Sequence, residues 1–175
     1  MANDKRIETW LARWRVPLGF FCAGAVLYLA RPTPRSLAIG GAVAVAGELI
    51  RVWAAGHLDK GREVTESGPY RFTRHPLYVG SAIVAFGAAI AAAHAGAAAV
   101  VAAYMGSTLV AAIRHEEANM RDAFGDNYDA YLQSRRTPVE RAFDFNRAMR
   151  INKEYKAMVG LAAVAVLLTI KAALR

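Results

Sequence analysis

Cysteine is nearly absent from the chain, and its scarcity limits the chemistry that the protein can perform. The only cysteine, Cys22, lies inside the first apolar block, so neither an internal disulfide nor a cysteine-based metal site can form. No two histidines stand at the helical spacing that metal ligands use, and we predict no metal site. The chain also lacks a Gly-x-Ser-x-Gly turn and a glycine-rich phosphate loop, so nucleophilic hydrolysis is not expected.

Charged residues are also few. They make up 21% of the 175 residues, whereas hydrophobic residues make up 55%. The apolar residues form five segments, each close to the roughly 20 residues that cross a bilayer: about 14–30, 36–55, 76–93, 97–113 and 157–173. We therefore predict an all-α fold, an integral membrane helical bundle of about five transmembrane helices. A soluble alanine-rich bundle is the alternative, because the mean hydropathy is only +0.20.

The basic residues that give the net charge of +8 cluster at the ends of the apolar segments. Four Lys or Arg lie in the first fifteen residues, five in 51–74 and nine in 114–156, against four on the opposite side. This asymmetry predicts a cytoplasmic N-terminus. The first fifteen residues lack a small-residue cleavage pattern, so we expect no cleavable signal peptide. The charges suit anionic lipid head groups, and nucleic acid is not an expected partner.

The pattern between the third and fifth segments predicts a helical hairpin with cytoplasmic amphipathic helices after it. The short turn near Gly96 joins segments three and four, and their glycines suit close packing, although Gly80 and Gly87 would also leave room for a flat ligand. Segment four continues as a helix to a break at Gly125, after which Asp126 is a candidate cap. The basic and aromatic stretch 137–156 predicts an interfacial helix on anionic lipid, with a solvated linker as the alternative.

Polar residues in costly positions at the mouths of the apolar segments indicate a site rather than packing. Residues 68–80 place two arginines, a histidine and two tyrosines directly against segment three. Glu116 and Glu117 follow segment four; they point about 100° apart on a helix, so they cannot make the same contact. Glu48 and Arg51 stand three apart on one helix face, which favours an internal ion pair.

Two motifs in this region resemble those of isoprenylcysteine carboxyl methyltransferases. The first is Gly-Pro-Tyr at 68–70 followed by Arg-His-Pro-Leu-Tyr-Val-Gly at 74–80. The second, after the hairpin, is Glu-Glu at 116–117, Phe-Gly at 124–125 and tyrosines at 128 and 131. Their order and separation match the family over about 61–136. The first helices carry no family motif, which leaves the methyl acceptor open.

The resemblance implies an integral membrane methyltransferase that uses S-adenosylmethionine, without a Rossmann domain or a metal. The length of the chain predicts a single domain, 1–175, with the cofactor-site core at about 61–136. The interfacial segment at 137–156 and the last transmembrane helix at 157–173 depart from the family pattern. Carried over by position, Arg74 and Glu116 are the expected catalytic residues. The expected cofactor-binding residues are Tyr70, His75, Pro76, Tyr78, Gly80, Glu116 and Glu117.

The acceptor implied by the resemblance is a lipophilic molecule such as an isoprenylcysteine-like carboxylate, which is already nucleophilic and needs mainly positioning. Arg74 would hold such a carboxylate through two hydrogen bonds. A phospholipid amine is an alternative acceptor, for which Glu116 or Glu117 would supply the base. A nicotinamide-dependent membrane reductase and a non-catalytic lipid-binding protein are further alternatives. In each case the expected location is the cytoplasmic face of a membrane.

Overall fold

The computed structural model describes residues 17–59, 62–133 and 140–174, and within these ranges the regular structure is entirely helical. The all-α prediction is therefore confirmed. The elements follow one another as α1 (Pro17–Leu29), α2 (Pro34–His57), a 3-10 turn (Gly68–Arg71), α3 (Pro76–Ala92), α4 (Ala95–Phe124), α5 (Asp126–Leu132), a π-helix (Arg147–Ile151) and α6 (Tyr155–Ala173).

Local sequence signals explain where α2 to α4 begin and end. Thr33 caps α2 in a reciprocal box with Ser36, and a proline occupies the first turn of both α2 and α3. Helix α3 stops at Ala93, which adopts the left-handed conformation with a φ of 48°. The His94 side chain then accepts a hydrogen bond from the Ala97 N–H, which caps α4 and closes the predicted hairpin.

Five apolar helices occupy the positions of the five predicted segments. Three of them, α2, α4 and α6, are long and apolar enough to cross a membrane, whereas α1 in its described part and α3 are shorter. Large apolar side chains such as Phe20, Phe21 and Val159 are exposed on the outer surface of the bundle. A soluble protein rarely exposes so much apolar surface, and these features are typical of a bundle immersed in lipid.

Glycines bring α2 and α3 into backbone contact. A Cβ added to Gly47 would lie 2.7 Å from the Val84 nitrogen, and one added to Gly87 would lie 2.6 Å from the Gly40 oxygen. Such distances leave no room for a side chain, so tight helix packing is the role of these glycines. The space for a flat ligand that the sequence allowed at Gly80 and Gly87 does not exist, because both residues are buried in this contact.

Helix α4 continues without interruption past the apolar segment, as predicted, and ends at Phe124. Gly125 makes the break with a φ of 45°, a conformation that favours glycine. The expectation that Asp126 caps the next helix is wrong: Gly125 occupies the cap position and no side chain caps α5. Asp126 instead lies in the first turn of α5, where its charge complements the helix dipole.

Only part of segment 140–154 is helical. Residues 137–139 lie outside the described ranges, residues 140–144 are not helical, and residues 145–151 form a short helical stretch that includes the π-helix Arg147–Ile151. The segment packs on the C-terminal end of α2 because its polar side chains cap that helix. Asn152 Nδ2 lies 2.8 Å from the Ala55 carbonyl oxygen and 2.9 Å from that of Leu58, and Arg147 Nη1 donates to the Gly56 oxygen.

Candidate functional site

A cavity of about 800 Å³ opens at what we call the polar end of the bundle, where α2 ends and α3 begins. Its walls come from the end of α2, the 58–75 loop, the first turns of α3, the second half of α4, α5 and segment 140–154. A cavity of this size lies in the range of cofactor and substrate sites. Its charged lining residues are Arg51, Glu63, Arg74, Glu116 and Glu154, together with His75 and His115.

The loop that precedes α3 is held by a buried histidine at the end of α2. His57 Nδ1 lies 3.1 Å from Ser67 Oγ, and both residues are buried. Gly68 passes directly over the His57 ring with a φ of 58°, and a Cβ there would lie 2.5 Å from His57 Cδ2. Only glycine satisfies both the conformation and the close approach, so Gly68 directs the chain that carries Tyr70 into the cavity wall.

His75 is positioned by α4. Its Nε2 lies 3.1 Å from Glu117 Oε1, and its ring contacts that of Tyr78 at a centroid distance of 5.8 Å. Pro76 follows as the first residue of α3 and is fully buried. The His75–Glu117 contact ties the signature loop to α4 across 42 residues of sequence.

Two tyrosines of α5 form part of the cavity wall. Tyr128 is buried, its ring lies 6.1 Å from that of Tyr131, and Tyr131 Oη donates to the Tyr70 carbonyl oxygen at 3.4 Å. Burial and then the nearby Glu116 carboxylate raise the pKa of Tyr70. Burial likewise raises the pKa values of Tyr128 and Tyr131. These phenols therefore remain protonated, and able to donate hydrogen bonds, at neutral pH.

The structure brings most of the sequence-predicted site residues together. Tyr70, Arg74, His75, Pro76, Tyr78 and Glu116 all line the cavity. Glu117 does not line the cavity; it contacts His75, which does. Gly80 does not line the cavity: a Cβ there would lie 2.7 Å from the Gly47 oxygen, so Gly80 lies in the α2–α3 contact.

The sequence did not predict that Arg51 lines the cavity. The predicted pairing of Arg51 with Glu48 is confirmed, at 3.2 Å between Nε and Oε2. In addition, Nη2 pairs with Glu154 Oε1 and Nη1 donates to Ser81 Oγ. Arg51, Ser81 and Glu154 all line the cavity, as do Thr108, Asn119 and Asn152. Only the ion-pair spacing of Glu48 and Arg51 signalled this cluster, because Glu154 is remote in sequence.

The lining suits a positively charged organic cofactor. Four tyrosines and the Glu116 carboxylate line the cavity, and aromatic faces with a carboxylate attract a sulfonium. Among the described residues, no group of three or more His, Cys, Asp or Glu is arranged to hold a metal ion.

Comparison with known proteins identifies the family. A family model described as phospholipid methyltransferase matches residues 36–127, just over half of the chain, from α2 to the start of α5. Neither the curated proteins nor the solved structures gave a significant match. The match agrees with the resemblance to isoprenylcysteine carboxyl methyltransferases, which are related membrane enzymes. The chain belongs to the phospholipid methyltransferase family, a family of integral membrane methyltransferases.

Proposed function

We propose that this protein transfers a methyl group from S-adenosylmethionine to the amine head group of a membrane phospholipid. The observation that carries the proposal is the position of Glu116, whose carboxylate lines the cavity beside Tyr70 and Tyr128. Among the described residues, no basic side chain forms an ion pair with Glu116. An amine must lose a proton as it is methylated, and a carboxylate in this position is suited to take it.

The cofactor, when bound, supplies an electrophilic methyl group on a sulfonium. The chain's own residues then have three tasks. Tyr70, Tyr78 and Tyr128 present aromatic surface to a cation and exclude water from it. Glu116 accepts the proton that the acceptor nitrogen loses. Glu117 orients His75, and this contact holds in place the part of the cavity wall where α3 begins.

Arg74 supports a second candidate, methyl transfer to a lipophilic carboxylate. Its side chain lines the cavity and the residue is exposed, which places it at the rim. A guanidinium there would hold a carboxylate through two hydrogen bonds. The carboxylate needs no base, so this candidate leaves Glu116 without a proton to accept.

The test is the transfer of labelled methyl groups from S-adenosylmethionine into vesicles that contain phosphatidylethanolamine. We expect label in the amine lipid, and a loss of at least about a hundredfold in turnover for Glu116→Gln, as for the removal of a general base. Binding of S-adenosylhomocysteine, measured by calorimetry, should change much less. Glu140→Gln is the matched control, because the Glu140 side chain is 76% exposed and pairs with Arg71 outside the cavity.

Each outcome separates the candidates. Label found only in an added lipophilic carboxylate would support the second candidate and overturn the first. Binding of S-adenosylhomocysteine without any transfer would indicate a non-catalytic protein. Stabilisation by NADPH but not by S-adenosylmethionine in a thermal-shift assay would indicate a reductase.

A further inference from the structure

The inner part of the cavity is the part lined by Arg51 and Ser81. Ser81 lies five residues into α3 and Arg51 six residues before the end of α2, which places both roughly 8–9 Å from the polar end along the helix axes. Leu77, Ala111 and Ala112 line the cavity around them. This inner part is therefore the half nearer the apolar bundle, where the head group of a lipid would enter from the membrane.

Arg51 lies in the inner part of the cavity and is not available to an anion. Each of its three guanidinium nitrogens already faces a partner: Nε the Glu48 carboxylate, Nη2 the Glu154 carboxylate and Nη1 the Ser81 hydroxyl. Two carboxylates thus flank a single guanidinium. An anionic head group that entered here would meet the Glu154 carboxylate instead of a free guanidinium, and like charges at close range repel.

Glu154 also brings its negative charge to the cavity wall. The residue is 6% exposed and lines the cavity, and its Oε1 pairs with Arg51 Nη2. Glu48 is buried on the same guanidinium, and its Oε1 has no hydrogen-bond donor. Two carboxylates thus share one guanidinium, and a ligand ammonium would add a second positive charge to this cluster.

We propose that Glu154 is a specificity-determining residue that makes the inner cavity select a cationic over an anionic head group by occupying Arg51. Glu154 is supplied by segment 140–154, outside the region 36–127 that the family model covers. The selectivity is therefore a property of this chain's own C-terminal part. The inference rests on the proposed function in so far as the acceptor head group binds at this inner end.

The test uses two amphiphiles of equal chain length and opposite charge, dodecylammonium and dodecanoate, at pH 8 in a non-ionic detergent. The dissociation constant of each is measured by thermal-shift titration of the full chain, without any turnover. We expect the wild type to prefer dodecylammonium. We expect Glu154→Gln to lower this preference by about tenfold, because it removes a charged acceptor and releases Arg51 Nη2.

Two variants serve as controls. Glu140→Gln makes the same substitution in the same segment but outside the cavity and should leave the preference unchanged. Glu154→Asp keeps the charge and should retain most of the preference, whereas a merely structural role would change stability without changing the ratio. Binding of S-adenosylhomocysteine should be similar in all three variants.

An unchanged ratio in Glu154→Gln, or an equal change in Glu140→Gln, would overturn the proposal. So would a wild type that binds dodecanoate as well as dodecylammonium, and that measurement stands even if Glu154→Gln does not fold. The two proposals can fail separately. Selective binding without methyl transfer would reject the proposed function and support the selectivity. Methyl transfer without selective binding would support the function and reject the selectivity.

Discussion

Glu116 and Glu117 are neighbours in α4 and yet serve different surfaces. Glu116 lines the cavity, whereas Glu117 Oε1 lies 3.1 Å from His75 Nε2. Successive helical residues point about 100° apart, so only one of the two can face the cavity while the other reaches the start of α3. Glu116 is thus the candidate proton acceptor and Glu117 a residue that positions His75.

This division predicts a coupled effect of His75 and Glu117 on cofactor affinity. We expect Glu117→Ala to weaken S-adenosylhomocysteine binding by about tenfold, because His75 loses a charged hydrogen-bond partner. Glu117→Gln, which keeps an oxygen for that contact, should be milder. Calorimetry on His75→Ala, Glu117→Ala and the double variant should show that the double variant loses little more than either single variant. Fully additive losses would contradict the pairing.

The raised pKa of Tyr70 predicts that the protein loses stability as the pH becomes alkaline. Burial raises its pKa above the unfolded value of about 10, so the native state holds the proton more tightly than the unfolded state. The resulting stabilisation is complete below about pH 10 and is lost as the pH rises through the native pKa. The unfolding temperature of the wild type should therefore fall more steeply between about pH 9 and pH 11 than that of Tyr70→Phe.

Phenolate absorbance provides the check. Up to about pH 11, the native wild type and native Tyr70→Phe should have the same phenolate absorbance, because Tyr70 keeps its proton in the native wild type. After denaturation, Tyr70→Phe should have the absorbance of one phenolate fewer than the wild type. Equal losses in both states would show that Tyr70 titrates normally in the native protein.

At the scale of elements, α2 and α3 form the closest pair of helices in the described structure. Gly40 and Gly47 of α2 lie against Gly87 and Gly80 of α3, so that the backbones touch without intervening side chains. This contact holds Arg51 beside Ser81 and sets where the end of α2 meets the start of α3. The inner part of the cavity therefore depends on glycines that never reach it.

Gly87→Ala should accordingly destabilise the protein. The new Cβ would lie 2.6 Å from the Ala44 nitrogen, and overpacking of this kind costs about 1–3 kcal/mol. Gly41→Ala in α2 is the control, because nothing lies within 4 Å of a Cβ at that position. Thermal unfolding in detergent should show a lower transition temperature for Gly87→Ala alone; equal transitions would disprove the tight contact.

Segment 140–154 gives a second prediction at this scale. Asn152 donates to two carbonyl groups at the end of α2, so Asn152→Ala should leave them without those donors and destabilise that end by about 1–3 kcal/mol. Asn146→Ala changes an exposed residue of the same segment and should have little effect. Hydrogen exchange of the last turn of α2 should accelerate only in Asn152→Ala; protection unchanged there would argue against the capping role.

At the scale of the whole molecule, the distribution of basic residues predicts that the polar end faces the cytoplasm. In a background with Cys22 replaced by serine, we expect Arg62→Cys, at the polar end, to react with a membrane-impermeant maleimide in inverted vesicles only. Ala95→Cys, at the opposite end of α3 and α4, should react in right-side-out vesicles only. Both positions are exposed. The reverse pattern would place the cavity on the outer face.

The sequence was sufficient for features that depend on neighbouring residues. Hydropathy located the five apolar helices to within a few residues, and the prolines and Gly125 marked where α2, α3 and α4 begin or end. It was not sufficient for segment 140–154, where basic and aromatic residues indicated a lipid surface. Phe143 and Arg147 of this segment also contact the end of α2, because they meet partners there that are about ninety residues away in the chain.

The sequence by itself determined the helices, their apolar character and the residues of the two motifs, since helical periodicity and transfer to lipid are local properties. Only the tertiary structure decided that Glu116 faces the cavity, that Gly80 packs against α2 and that Glu154 joins Glu48 at Arg51. These outcomes depend on how each helix is rotated and on which distant segments meet. Rotation and contact follow from the packing of all the helices together, and no single stretch of the chain contains that information.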